Sequence, residues 1–513
     1  MKPLFKFLTR NYDKIIISAI LIIASFYRLY QIRDYLTFLG DEGRDVLVVY
    51  KILHGSFTLL GPTASVGGFF LGPIYYYFMA PFLWLFNYDP VGPAVMVALF
   101  GIATVWLVYK VGKELFGTSV GLIAAGLYAI SPLVVTYSRS SWNPNLMPFF
   151  SLLMIYFVYK ALLKNSLKLF ILSGFLFGIA MQLHYLSVFL GVIIFAYVLL
   201  YRFAYSKNNF LTGIIKEYLY IFLGLLIGWS PFLAFEIRHG FRNIISIFNF
   251  VFHGQETNGN IHFFQTAGNV FFRIFGRLIT NDPKTAINLW YFATLILGTA
   301  SIFFLLYKCF KEFKLHSQDF GKYSLVLVWF IFGVGLFGFY KKSIYDYYFG
   351  FMFPLPFLIV GILLKGFWTN KVGKALSIFV LIVLVWLNSL TAPFTLPANR
   401  QLDQMESIAK FVIGKTDNKP FNFALIAQGN SDHAYRYFFA VWGKDPTIIQ
   451  NVAVDPQRKT VTNQLLVVCE QVNCGPLGYS EWEIAGFGRA QIAGEWSVSV
   501  VKVFKLVHYM GKY

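Results

Sequence analysis

The chain has 513 residues, of which 57% are hydrophobic and 13% charged, and a mean hydropathy of +0.60. That excludes a soluble globular protein and fits a polytopic α-helical membrane protein. A formal net charge of +19 would suit nucleic acid, yet no RNA- or DNA-binding motif is present. Most basic residues sit in short loops between apolar stretches, where they set topology and meet anionic lipid. Membrane lipid is therefore an expected partner and nucleic acid is not.

The first apolar stretch, Ile15 to Tyr30, is preceded by Lys2, Lys6, Arg10 and Lys14. Basic flanks stay in the cytoplasm, so this span is expected to leave on the far side. No small-residue cleavage site follows it, as a removed signal would require. The segment Phe38-Leu39-Gly40-Asp41-Glu42-Gly43-Arg44-Asp45 emerges there. Carboxylates at a membrane surface are costly and usually face a polar cavity. From about 33 to 90 the chain is expected to run as interfacial helices, because Phe69 to Phe86 is apolar but contains Gly72, Pro73 and Pro81. An ordinary transmembrane hairpin there would invert everything downstream.

Charge decides between the two. With that segment interfacial, spans of about 20 residues are predicted near Val91–Val108, Ser119–Tyr137, Leu146–Tyr159, Leu169–Leu183, Leu186–Leu200 and Leu219–Phe235. Four more are predicted near Trp290–Tyr307, Ser324–Phe339, Phe349–Leu364 and Ala375–Leu390, for about eleven in all. The inner loops then hold Lys110 and Lys113; Lys160, Lys164 and Lys168; Arg202, Lys207 and Lys216; Lys308, Lys311 and Lys314; and Lys365, Lys371 and Lys374. Every cytoplasmic loop is basic, as the positive-inside rule requires.

Residues 1–392 thus read as a transmembrane domain and 393–513 as an extracytoplasmic α/β domain. After the linker Thr391 to Pro397, Gln401–Ile413 and Asp432–Val441 have helical character. Asn422–Ala427, Thr447–Val454, Gln464–Glu470 and Ser497–Leu506 are rich in β-branched and aromatic residues and read as strands. Cys469 and Cys474 suit either a short-loop disulfide in an oxidising compartment or two thiols.

The predicted outer loops gather polar groups on one membrane face: Asp41, Glu42, Arg44 and Asp45; Tyr137 to Asn145 with Arg139, Asn143 and Asn145; His184; Glu236 to Arg242 with Arg238 and His239; and Tyr340 to Tyr348 with Lys341, Lys342, Tyr347 and Tyr348. Such a set suits a lipid-phosphate donor. Arg and Lys clamp phosphate, Tyr adds donors, and a carboxylate takes the proton from an acceptor hydroxyl as a sugar leaves its phosphate. Each group also has a plainer reading. Asp41 and Glu42 suit helix capping, Arg238 and His239 lipid headgroups, Lys341 and Lys342 a solvated pair, His184 a packed span end, and Tyr347 and Tyr348 an aromatic belt.

From about Ile15 to Leu390 the chain resembles the GT-C superfamily of polyprenyl-phosphate-sugar glycosyltransferases, especially the protein O-mannosyltransferase and lipid A aminoarabinose transferase group (glycosyltransferase family 39-like). Asp41-Glu42 matches the family's acidic motif after the first span. Pro73-Ile74-Tyr75-Tyr76-Tyr77 matches its Pro-aliphatic-Tyr-Tyr pattern, and Ser138-Arg139-Ser140 its Ser-Arg segment. Tyr345-Asp346-Tyr347-Tyr348 with Pro354 matches its late Tyr cluster.

The resemblance implies an inverting transfer of a sugar from a polyprenyl-phosphate-linked donor to an extracytoplasmic acceptor: protein, glycan or lipid. Asp41 would be the base, with Glu42 second. Arg238, His239, Lys341, Lys342, Tyr347 and Tyr348 would hold the donor phosphate. Arg44, Tyr75, Tyr76, Arg139, Asn143, Asn145 and His184 would line the acceptor side. The alternative is a lipid-linked-sugar flippase or transporter using the same basic cavity without chemistry. Phe70, Leu71 and Gly72 stand where many relatives carry a lysine. Asn143 or Asn145 stands where many carry an aspartate. No cofactor is assigned, and a divalent metal stays open, asparagine being a weaker ligand than carboxylate.

Overall fold

The computed structural model describes residues 11–64, 68–205, 210–252, 262–282, 289–471 and 473–511. Lys2, Lys6, Arg10 and Lys207, used above for topology, lie outside them. In chain order, the helices that bear on the site are α1 (Tyr12–Leu29), α2 (Gly40–Leu53), α3 (Leu167–Leu183), α4 (Phe210–Gly228), α5 (Phe263–Phe275) and α6 (His433–Val441). The strands are β1 (Asn422–Ile426), β2 (Gln464–Cys469), β3 (Ala490–Val498) and β4 (Val501–His508). The chain forms two compact units. One comprises the residues up to Tyr30, Thr58–Phe78 and Ala94–Pro397; the other comprises Gln31–Phe57, Met79–Pro93 and the residues from Ala398 onward.

The first unit is helical. Among the described residues, seven helices are long and apolar enough to cross a membrane, and Asp346–Met352 with Pro354–Gly366 adds an eighth candidate bent by 59°. The expected number of about eleven is reached only by counting α1, which carries Asp13, Lys14 and Arg28, and the shorter Thr118–Ile130 and α3. Proline explains where observed helices depart from the predicted spans. Ser119–Tyr137 is interrupted at Ser131, whose extended ψ of 118° precedes Pro132, because a residue before proline is pushed out of the helical region. Phe349–Leu364 bends where Pro354 starts a new helix. Ile74–Leu85 has 12 residues, about 18 Å of helix, short of a hydrocarbon core.

Close helix packing in this unit uses small residues. Gly174 and Gly178 on α3 face Gly224 and Gly228 on α4. A Cβ at Gly174 would overlap the Ile221 carbonyl, and one at Gly228 the Phe175 carbonyl. Both pairs are spaced four apart, the interval that lets two membrane helices touch backbone to backbone.

The second unit is a small α/β assembly. Its sheet has the order β1-β2-β4-β3, with β1 and β2 parallel and the other pairs antiparallel. Strand β2 is buried throughout. Leu465, Val467, Ile426 and Phe504 form the core with Ile484 and Phe487 from a short helix. Two predicted strands are corrected. Thr447–Val454 is irregular, because Asn451 turns the chain: its carbonyl accepts from Val454 and its side chain from Ala453. Ser497–Leu506 is not one strand but the junction of β3 and β4. Ser499, at φ 53°, reverses the chain, the left-handed conformation of a two-residue hairpin turn. Cys469 and Cys474 are joined in a disulfide.

Candidate active site

In the second unit, the Asp41 segment forms the first turn of α2. Its N-cap residue is Leu39, in extended conformation, and leucine has no acceptor for the free amides of a helix start. Two other groups supply one. The Leu39 N–H donates to Glu42 Oε2 at 3.1 Å, and the Gly40 N–H donates to Asn430 Oδ1 at 2.9 Å. Glu42 is therefore turned inward and buried. Desolvation pushes its carboxyl up to about 7, against the lowering effect of the backbone amides that it accepts from.

Asp41 faces the other way. Its side chain is 56% exposed, and it accepts from Arg44 Nη1 at 2.8 Å. Arg44 also donates Nε–H and Nη2–H to Asp45 Oδ1, at 2.9 and 2.8 Å, and Asp45 is fully buried. One guanidinium thus ties the open carboxylate to a closed one. His433, at the start of α6, hydrogen-bonds Ser431 Oγ through Nδ1 at 2.8 Å. Burial holds the His433 pKa below its usual value, opposed by Asp432 and Asp41 and reinforced by Arg44 and Arg436.

In the first unit, an open cavity of about 530 Å³ is lined by Tyr137, Trp142, Asn269, Arg273, Arg277 and Tyr347, among others. Arg273 lies in the last turn of α5, and Arg277 in the π-helical turn Gly276–Thr280 that follows. Four residues apart, they share a face. Both donate to Asp346: Arg273 through Nε at 2.9 Å and through Nη2, Arg277 through Nη1 to the other oxygen. Arg273 Nη1 also donates to the Ile344 carbonyl at 2.7 Å, and its guanidinium lies 4.8 Å from the centre of the Phe349 ring. The cluster keeps one positive charge in excess. Arg277 is the more open of the two, at 32% side-chain exposure against 10%.

The other predicted residues fall into three groups. His184, Tyr347 and Tyr348 come together: the imidazole lies 5.8 and 5.3 Å from the two phenol rings. His184 Nδ1 accepts from the Leu186 N–H, and Trp142 packs on Tyr347 at 4.3 Å. A second group is committed to architecture. Arg139 is buried and donates to the carbonyls of Tyr27 and Tyr30, at 2.6 and 2.7 Å, where a cation complements the C-terminus of α1. Tyr75 and Tyr76 are buried, Tyr75 sharing a hydrogen bond with Ser141. Asn143 donates to the Leu183 carbonyl and Asn145 to that of Ser140.

A third group faces outward. Arg238 and His239 are exposed at the end of the helix Ser230–Arg238, His239 stacked on Phe235 at 4.0 Å. Two residues before Arg238, Glu236 is buried and accepts from Asn243, and residues two apart lie on opposite helix faces. Lys341 is exposed and Lys342 half-buried. Among the described residues, no group of three or more His, Cys, Asp or Glu could hold a metal ion.

Sequence reasoning passed over Arg273, Arg277 and Asn430. The signal for the first two was present: Phe271, Phe272, Arg273, Phe275 and Arg277 form an amphipathic turn in a stretch assigned no element. Nothing local marks Asn430.

The model of the family described as dolichyl-phosphate-mannose-protein mannosyltransferase matches residues 71–235. Among curated protein sequences none matches the chain. Solved structures do. ArnT from Cupriavidus metallidurans, bound to undecaprenyl phosphate, superimposes with a TM-score of 0.59 at 12% identity, over 96% of this chain and 98% of that one. The oligosaccharyltransferase AglB from Archaeoglobus fulgidus, in complex with an inhibitory peptide and a dolichol-phosphate, gives 0.55 at 13% identity, over 90% of this chain and 70% of that one. Two solved structures thus share this fold with the chain while having very little sequence in common with it.

Proposed function

We propose that the protein is an inverting glycosyltransferase that moves a sugar from a polyprenyl-phosphate carrier to an acceptor hydroxyl or amine at the extracytoplasmic face. The observation that carries this reading is the cavity bearing Arg273 and Arg277, in a fold whose solved examples hold undecaprenyl phosphate and dolichol-phosphate. Guanidinium groups fit phosphate through paired hydrogen bonds. Arg277, the more open, makes the first contact and Arg273 backs it.

Asp41 takes the proton from the acceptor. The acceptor atom then bonds to the anomeric carbon, the carbon–oxygen bond to phosphate breaks, and its electron pair stays on the departing polyprenyl phosphate. The transition state is oxocarbenium-like, and one base with one stable anionic leaving group inverts the anomeric centre without a covalent intermediate. The leaving phosphate needs positive charge rather than a proton donor. Basic inner loops and a disulfide in the second unit both support an extracytoplasmic site.

Purified protein in liposomes, given a radiolabelled polyprenyl-phosphate sugar and candidate acceptors, tests the reading. Label should appear on an acceptor with inverted configuration. Label that crosses the bilayer while staying on its carrier would instead identify a flippase.

A further inference from the structure

The Gly40 amide receives its cap from a residue 390 positions away. Asn430 Oδ1 accepts from both the Gly40 and Ser431 N–H groups, each at 2.9 Å. Its Nδ2 donates to both oxygens of Glu470, each at 3.0 Å. Only one orientation of the amide satisfies two amide donors on one side and a carboxylate on the other. Glu470 is itself held: Tyr435 O–H donates to it at 2.8 Å, and its own N–H donates to the Ile426 carbonyl at 2.9 Å. The residue before it, Cys469, is the last of β2 and is disulfide-bonded.

The glycines of α2 permit this contact. A Cβ at Gly40 would overlap Ser431, and one at Gly43 would overlap the backbone of Ala434. The motif Gly-Asp-Glu-Gly therefore presses the first turn of α2 against the start of α6, leaving Asp41 as its open residue.

We propose that Asn430, oriented by Glu470, is a positioning residue for Asp41, and that the C-terminal α/β region serves the reaction by fixing the first turn of α2. This rests on Asp41 being the base. Catalytic groups tolerate little displacement, and an error of about 1 Å can cost about 100-fold in rate.

Asn430→Ala, Asn430→Asp and the pair Asn430→Asp with Glu470→Gln test it in the full-length protein. Asn430→Ala should lower kcat about 10–100-fold while KM for the donor stays within about two-fold. Amide exchange of peptides covering residues 36–46 should speed up, since a lost cap frees the helix start. Asn430→Asp alone should do the same, because two carboxylates then face each other. Adding Glu470→Gln restores a donor opposite the new acceptor, and both kcat and exchange protection should return.

Unchanged exchange over residues 36–46 in Asn430→Ala would overturn the proposal. So would a swapped pair as slow as Asn430→Asp alone. The swapped pair keeps the test sharp should Asn430→Ala fold poorly. Should the wild-type protein transfer no sugar, the proposed function fails, while the exchange measurements still decide whether Asn430 fixes the turn.

Discussion

Arg273 donates its Nε–H to Asp346 at 2.9 Å, and both side chains are almost closed to solvent, at 10% and 8% exposure. The two arginines on Asp346 should therefore answer mutation differently. Arg273→Ala leaves a buried carboxylate with half its compensation and should cost about 3–5 kcal/mol of stability, read as a lower melting temperature in detergent. Arg277→Ala uncovers the other Asp346 oxygen on the more open side, so it should cost less stability than Arg273→Ala while weakening polyprenyl-phosphate binding about 10-fold or more, a charge-assisted bond being worth about 1.5–3 kcal/mol. Arg277→Lys should recover part of it, since charge is kept and the fork lost.

The two carboxylates at the start of α2 separate in the same way. Asp41→Asn should lower kcat about 10²–10⁴-fold with donor binding intact. Glu42→Gln should stay close to wild type, because glutamine still reaches back to the Leu39 amide. A Glu42→Gln enzyme as slow as Asp41→Asn would move the base to Glu42.

Glu42 also predicts a pH dependence of stability. Its folded pKa, about 7, lies above the ordinary 4.5, so the folded state binds more protons in between. That contribution is fully present below about 4.5 and is lost as pH rises through about 7, for about 3 kcal/mol in total. Melting temperatures between pH 4.5 and 8 should therefore fall more steeply for wild type than for Glu42→Gln.

Helix contact through glycine gives a fourth test. Gly174→Ala drives a Cβ into the Ile221 carbonyl and should cost about 1–3 kcal/mol. Gly335→Ala, with nothing within 4 Å of the new Cβ, should not. Equal melting of the two variants would mean that α3 and α4 are not packed this closely.

Much of the helical unit was legible because bilayer length and loop charge act on long stretches of chain. Helix ends were less so, since single prolines at 132 and 354 decided them. The acidic turn could be found as a local pattern, but not the opposite orientations of Asp41 and Glu42. Those depend on Leu39 being unable to cap and on Asn430 arriving from far away. Arg238 matches the resemblance's arginine in a middle outer loop, whereas Arg273 lies on an amphipathic helix, Phe263–Phe275, whose polar face keeps it from reading as a span. The strand read across Ser499 shows the same limit: β-branched residues continue through a turn that only backbone conformation reveals.

The span of 390 residues between Gly40 and Asn430 has a consequence for biosynthesis. At about 5–20 residues per second, roughly 20–80 s separate the synthesis of Asp41 from that of its anchor. Over that interval the nascent chain already contains its acidic residues and much of its helical unit, but the Asn430 contact that caps Gly40 is still missing. On the proposed role of Asn430, the turn is fixed only once Asn430 and Glu470 have been made. A ribosome that stalls before them leaves an acidic turn without its anchor.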